Sequence, residues 1–208
     1  MHLSGICFIT DKKYNKLSLY ETAFNVLKAG VRIIQYREKE QTRRCIYENA
    51  LKLRRLTRHF NALLIINDHA DIALALDADG VHLGQEDLPL KEARKIMGEK
   101  IVGISTHNLE QAEKAEEGGA DYIGFGPVFH TTTKDAGEPV GIDNLRIIKQ
   151  NVDIPVMAIG GINPDNIESV INAGADAAAV ATAILKGDIA ENTARLVEFF
   201  RYKKRFNN

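Results

Sequence analysis

The stretch LLIINDHADIALALDADGVHLGQED, residues 63–87, decides the fold. It begins with an apolar, β-branched run that breaks into Asn67 and Asp68, and a short amphipathic segment follows near residues 71–76. Gly80, Val81, His82 and Leu83 then form a second apolar run that opens into Gly84, Gln85, Glu86 and Asp87. Each half reads as a buried strand turning polar at its C-terminal end, which is where a parallel α/β fold builds its sites. Asp68 and Asp87 then stand side by side at neighbouring strand ends. Two carboxylates with the Asn67 amide beside them suit a hard divalent cation such as Mg²⁺, which keeps some waters and shares its other positions with substrate phosphate. The same aspartates also suit a plainer role as caps of the helices that follow. The rest of the chain has to decide between the two.

Outward from this stretch, short β-branched runs alternate with longer helical segments along the whole chain. Strands are expected at residues 5–10, 32–37, 63–67, 80–83, 101–105, 122–128, 154–159 and 177–183. Helices are expected at 19–29, 42–60, 71–76, 90–97, 109–117, 143–150, 164–173 and 189–202, several of them closed by glycine. Eight successive βα units predict a (β/α)₈ TIM barrel, an α/β fold, as a single domain over residues 1–208. A doubly wound open sheet is the competing architecture, with fewer strands and a crevice where strand order reverses.

The 208 residues carry 27 basic and 28 acidic side chains for a net charge of -1, so no global field draws the chain to nucleic acid or to an anionic membrane. Any anion has to be held locally. No run reaches the length of a membrane span and the N-terminus lacks the pattern of a signal peptide, which predicts a soluble cytoplasmic protein. Cys7 and Cys45 have no metal-ligand spacing around them and are expected to pack.

A barrel gathers the strand ends into one mouth. Strand two delivers Gln35, Tyr36, Arg37, Glu38 and Lys39, in which Gln35, Arg37 and Lys39 alternate and share one side. Two cations and an amide suit an oligophosphate, although such a run also suits a solvated charged turn. Strand five ends in Ser105, Thr106 and His107, which suit a polar ring edge, with His107 read as a structural hydrogen-bonder. Strand six leads to Thr131, Thr132, Thr133 and Lys134, which suit an anion-binding loop, although Thr-rich loops are also common turns. Gly160 and Gly161 after strand seven, and Ala181 and Thr182 after strand eight, lie where barrels often hold a phosphate, although the two glycines also suit plain tight packing. Two anion sites in one mouth, one with carboxylates for a metal, point to two phosphorylated substrates joined in one pocket.

These residues resemble the thiamine-phosphate synthase family over nearly the whole chain. The resemblance rests on residues 35–39, Asn67 with Asp68, 80–87, 126–134 and 158–162. It implies a Mg²⁺-dependent transferase of an alkyl group other than methyl, acting in thiamine biosynthesis. Such an enzyme joins 4-amino-2-methyl-5-hydroxymethylpyrimidine diphosphate to a thiazole phosphate and releases pyrophosphate. It further implies that the run Gln35, Tyr36, Arg37, Glu38 and Lys39, together with Asn67, Ser105 and Lys134, holds the pyrimidine diphosphate. Asp68 and Asp87 would hold Mg²⁺, and Thr131, Thr132, Thr133, Gly161, Ala181 and Thr182 would hold the thiazole phosphate. Arg37, Lys39 and Lys134 would carry the catalytic charge. Thr182 stands where the family often has Ser. The alternatives are a thiazole tautomerase-like isomerase and a non-catalytic phosphate-ligand sensor on the same barrel. Residues 129–141 are the candidate lid, and the oligomeric state is open.

Overall fold

The computed structural model describes residues 3–14, 17–131 and 137–206, with side chains up to residue 201. Eight parallel strands pair in chain order and β8 returns to β1, closing a barrel. They are β1 (Gly5–Ile9), β2 (Ile33–Tyr36), β3 (Leu63–Asn67), β4 (Gly80–Leu83), β5 (Ile101–Thr106), β6 (Tyr122–Phe125), β7 (Val156–Ile159) and β8 (Ala177–Val180). Helices α1 (Leu19–Lys28), α2 (Arg43–His59), α3 (Ala70–Ala75), α4 (Leu90–Met97), α5 (Leu109–Glu117), α6 (Gly141–Asn151) and α7 (Ile167–Asn172) connect them, and α8 (Thr182–Leu185) and α9 (Ile189–Phe206) follow β8. The expected (β/α)₈ architecture is therefore the observed one. No helix among the described residues is long and apolar enough to cross a membrane.

Strand alternation sorts the apolar residues into two shells. Cys7, Ile9, Ile33, Ile65, Ile101, Met157, Ala177 and Ala179 fill the barrel interior. Phe8, Ile34, Tyr36, Leu64, Ile66, Val81, Leu83, Ile123 and Phe125 face outward into the layer beneath the helices. Because both faces are buried, the strands read as near-continuous apolar runs.

A repeated turn closes the N-terminal floor. After α1, α2, α3, α5 and α7 the chain passes through a residue at positive φ: Gly30 (+112°), Asn61 (+49°), Asp77 (+54°), Gly119 (+82°) and Gly174 (+98°). Each donates its N–H three residues back, and the next residue donates five back, which satisfies two orphan carbonyls of the helix end. The residue after that is Asp79, Asp121 or Asp176 before β4, β6 and β8. Their carboxylates accept the N–H of Leu64 (2.7 Å), Val102 (2.7 Å) and Val156 (2.9 Å) on the preceding strand. Arg54, Arg94 and Lys149 from α2, α4 and α6 pair with the same carboxylates at 2.6, 2.6 and 2.8 Å. This end of the barrel is fixed by charge-assisted bonds, and the opposite end is left for chemistry.

Several boundaries differ from the sequence expectation. Strand β6 ends at Phe125 because Gly126 and Pro127, joined by a cis peptide, redirect the chain, although Val128 and Phe129 still donate to the carbonyls of Ile159 and Gly160. Strand β8 ends at Val180, and the apolar residues expected to continue it form the separate helix α8. Helix α7 begins at Ile167 because Asn163 and Asn166 close a turn, with the Asn163 N–H donating to Oδ1 of Asn166 at 2.8 Å.

Candidate active site

A cavity of about 610 Å³ opens at the C-terminal ends of the strands. Its walls come from β1 (Ile9, Thr10, Asp11), β2 (Arg37), β5 (Ser105, His107), the β6 end with Pro127, His130 and Thr131, the β7 turn from Ile159 to Asn163, and the β8 end with Ala181, Thr182 and Lys186. These segments are far apart in sequence, and strand closure alone unites them.

Thr10 builds the Arg37 position. Its hydroxyl accepts the Arg37 N–H at 2.9 Å and donates to the Arg37 carbonyl at 3.1 Å, so the β1–β2 ladder is carried one residue beyond the strand. The Arg37 guanidinium lines the cavity with no acidic partner among the described residues. A cation held at its backbone, with no acidic partner among the described residues, is suited to a phosphate.

Lys39, Asn67, Asp68 and Asp87 stand on the β2–β4 sector of the same rim and lie outside the walls of that cavity, and Gln35 is buried within β2 beside Tyr122. Lys39 meets the Asp68 carboxylate, which the Asn67 amide also reaches. Asp68 adopts φ +65°, and the His69 N–H donates across it to the Asn67 carbonyl at 2.9 Å. This is a γ-turn of the rare, strained hand, and it holds a largely buried carboxylate at the end of β3. The Asp68 N–H donates to the His82 carbonyl, which ties this turn to β4. Asp87 accepts the Gly84 N–H with Oδ2 at 2.6 Å, and its other oxygen has no hydrogen bond among the described residues. His69, and not Asp68, is the N-cap of α3, and Pro89 is that of α4, so neither aspartate caps the helix that follows it. Two carboxylates at neighbouring strand ends, one paired with the Lys39 ammonium and the other held by the Gly84 N–H, fit the donor chemistry of Mg²⁺, which needs few protein ligands and takes the rest of its shell from water and substrate oxygens.

The β6–β8 sector is built by close backbone contact. A Cβ on Gly161 would lie 2.4 Å from the His130 carbonyl oxygen, and one on Gly160 would lie 2.5 Å from the Pro127 Cβ. Only glycine lets these two loops seal together, and both residues sit at positive φ. Ala181, Thr182 and Gly161 are thereby brought to one wall with Thr131. Thr132, Thr133 and Lys134, with part of the candidate lid, lie outside the described residues.

Two members of the Gln35 to Lys39 run are corrected. Tyr36 points into the outer shell beneath α2, where burial pushes its phenol up to about 12, and its side chain cannot reach a ligand in the mouth. Glu38 turns back to accept the Glu40 N–H at 2.9 Å and shapes the loop. His107 is the structural hydrogen-bonder expected of it, its Nδ1 lying 2.6 Å from the Gly126 carbonyl oxygen. Sequence reading misses Thr10, His82, Tyr122, His130 and Lys186. For His82 and Tyr122 a signal exists: each is a polar side chain at an inward position, and a glycine leaves room for it, Gly103 on β5 for Tyr122 and Gly124 on β6 for His82.

Comparison with known proteins places the chain in a family. A family model described as thiamine monophosphate synthase matches residues 6–184. A thiamine-phosphate synthase of Chloroflexus aurantiacus is 52% identical over 167 residues, covering 80% of this chain and 77% of that protein. One of Archaeoglobus fulgidus is 48% identical over 199 residues, covering 95% and 93%. The solved structure of thiamine phosphate pyrophosphorylase from Pyrococcus furiosus superposes with a TM-score of 0.90 at 39% identity, covering 97% of each chain. The strand-end chemistry, the barrel and these likenesses lead to one conclusion: the chain belongs to the thiamine monophosphate synthase family.

Proposed function

We propose that the protein is a Mg²⁺-dependent thiamine-phosphate synthase, transferring the 4-amino-2-methylpyrimidinylmethyl group from its diphosphate to the ring nitrogen of a thiazole phosphate. The observation that supports this reading is that one rim gathers two sets of groups suited to anions. Arg37 and the Lys39–Asp68 pair lie on one side, and Thr131, Gly161 and Thr182 on the other.

The carbon–oxygen bond to the diphosphate breaks first, its electron pair leaving on pyrophosphate, while the pyrimidine amino group feeds electron density into the cationic methylene. The thiazole nitrogen then donates its lone pair to that carbon and forms the new carbon–nitrogen bond. No covalent nucleophile is required. Cys7 is buried inside the barrel with its thiol pushed up to about 12, and Cys45 lies on α2, so neither serves as one. Asp68 and Asp87 would hold Mg²⁺, which when bound offsets charge on the leaving diphosphate. Arg37 and Lys39 bind the leaving diphosphate, with Lys39 exchanging Asp68 for it, and the family resemblance implies the same role for Lys134. The β6–β8 wall holds the thiazole phosphate so that its nitrogen faces the departing bond.

Variants separate the two sectors. Asp68→Ala and Asp87→Ala should each lower kcat by about 10²-fold or more and blunt the response to added Mg²⁺. Thr182→Val should raise KM for the thiazole phosphate by about 10-fold with the Mg²⁺ response intact. Wild-type rate and metal response in both aspartate variants would overturn the metal assignment.

A further inference from the structure

Asn166 is the N-cap residue of α7, yet its side chain does not cap that helix. An Asn at this position ordinarily accepts an N–H of the helix's own first turn. Here the amide turns back to the loop after β7. Its Oδ1 accepts the Asn163 N–H at 2.8 Å and its Nδ2 donates to the Gly161 carbonyl at 3.0 Å, so one side chain closes on both ends of the Gly161–Asn163 segment. Asn163 adds a longer contact to the same carbonyl, 3.4 Å from its own Nδ2.

The direction of these bonds sets the direction of the backbone. Gly161, Ile162 and Asn163 line the cavity, and Asn166 stands behind them, outside its walls. The Gly161 carbonyl therefore points out of the cavity. In a planar trans peptide the C=O and the N–H that follows it point opposite ways, which turns the Ile162 N–H towards the cavity. The preceding peptide is held in the same manner. The Gly160 carbonyl accepts the Phe129 N–H at 3.1 Å, and Phe129 also lies outside the walls, so the Gly161 N–H is turned inward too. Neither N–H has a hydrogen-bond partner among the described residues. Ile162 is only 4% exposed, and a buried N–H left unpaired is rare because it gives up its water for nothing. Two such donors on successive residues, each fixed through the carbonyl of its own peptide, suit an anion.

We propose that Asn166 is a positioning residue: by holding the Gly161 carbonyl behind the wall, it presents the Ile162 N–H, beside that of Gly161, to a phosphate in the cavity. This rests on the reading under Proposed function, in which that phosphate belongs to the thiazole substrate. The side chain that α7 would use as its cap is given to the loop.

Proton–nitrogen NMR of the labelled protein titrated with inorganic phosphate reads these donors without turnover. The amide protons of Gly161 and Ile162 should both move downfield in the wild type. Asn166→Asp keeps an acceptor for the Asn163 N–H but sets an oxygen against the Gly161 carbonyl, and the Ile162 response should be lost. In kinetics, Asn166→Asp and Asn166→Ser should each raise KM for the thiazole phosphate by about 10-fold or more, with kcat and KM for the pyrimidine diphosphate unchanged. Serine is too short to reach Gly161 but is a good capping residue, so Asn166→Ser should match or exceed the wild type in thermal stability while its KM rises, a separation that a merely structural role does not give. An Ile162 amide that ignores phosphate in the wild type, or an unchanged KM for the thiazole phosphate in both variants, would overturn the proposal. A wild type whose two amides respond but which forms no thiamine phosphate would instead overturn the functional reading and leave the role of Asn166 in anion binding standing. Should either variant fail to fold, the wild-type titration decides.

Discussion

Asp68 holds a carboxylate in a backbone conformation that only a few residue types tolerate, and that cost is sustained by the ladder contact to His82 and the pairing with Lys39. Asp68→Asn keeps the shape and the tolerance for positive φ but removes the charge. Its thermal stability should match or exceed that of the wild type while its Mg²⁺ response falls, a combination read by calorimetry beside a metal titration. Alternation makes Gln35 and Arg37 legible, because every second residue of a barrel strand faces inward. The same rule applied strictly places Tyr36 outside, and treating the five-residue run as one binding unit obscures this. Tyr36→Phe should accordingly leave kcat and both KM values within about twofold of the wild type, since surface and non-contact changes away from special features are small. Gly103→Ala should do the opposite by driving a methyl into the Tyr122 ring, a clash costing about 1–3 kcal/mol or more. A urea melt measures it.

Elements were read well where their ends carry turn chemistry. Strand β3, strand β4, α4 and α5 have the same bounds in sequence and structure, because the residues after them are Asp68 or the glycines Gly84, Gly98 and Gly118. The errors fall where apolar residues run on past the end of an element. Periodicity cannot separate Ala181 and Thr182 from β8, and it takes a change of backbone direction to make Thr182–Leu185 a helix. Gly126 breaks β6 for a tertiary reason: its missing Cβ would sit 2.1 Å from the Ile159 carbonyl oxygen, a contact that no local pattern encodes. The turns that close the floor offer a clean element-scale test. Gly119 has φ +82° and open space where a side chain would go, so Gly119→Ala isolates the left-handed penalty, about 1–2 kcal/mol. Equilibrium unfolding should show that loss with activity retained, because the turn lies at the end of the barrel remote from the mouth.

At the scale of the whole molecule, the net charge of -1 conceals an uneven distribution. The floor neutralises its aspartates with Arg54, Arg94 and Lys149, whereas among the described residues the cavity wall carries Arg37 and Lys186 against the carboxylate of Asp11. Burial also sets the alkaline limit of the fold. Cys7 and Tyr36 have their acidities weakened from 9.0 and 10.0 to about 12 in each case, so each holds its proton more tightly when folded than when unfolded. Their contribution is fully present below pH 9 and is lost as pH rises through 12, at about 1.4 kcal/mol per pH unit per group above its unfolded value. Unfolding free energies measured from about pH 8 to about pH 11 should fall steadily, and Cys7→Ala should flatten the part of that slope that begins nearest pH 9.

The two-sector mouth is tested most directly by product analysis of the purified protein with the pyrimidine diphosphate, the thiazole phosphate and Mg²⁺, and with each omitted in turn. The account predicts thiamine phosphate and pyrophosphate in equal amounts only when all three are present. Isomerised thiazole phosphate without pyrophosphate, or binding of both ligands with no new product, would contradict it.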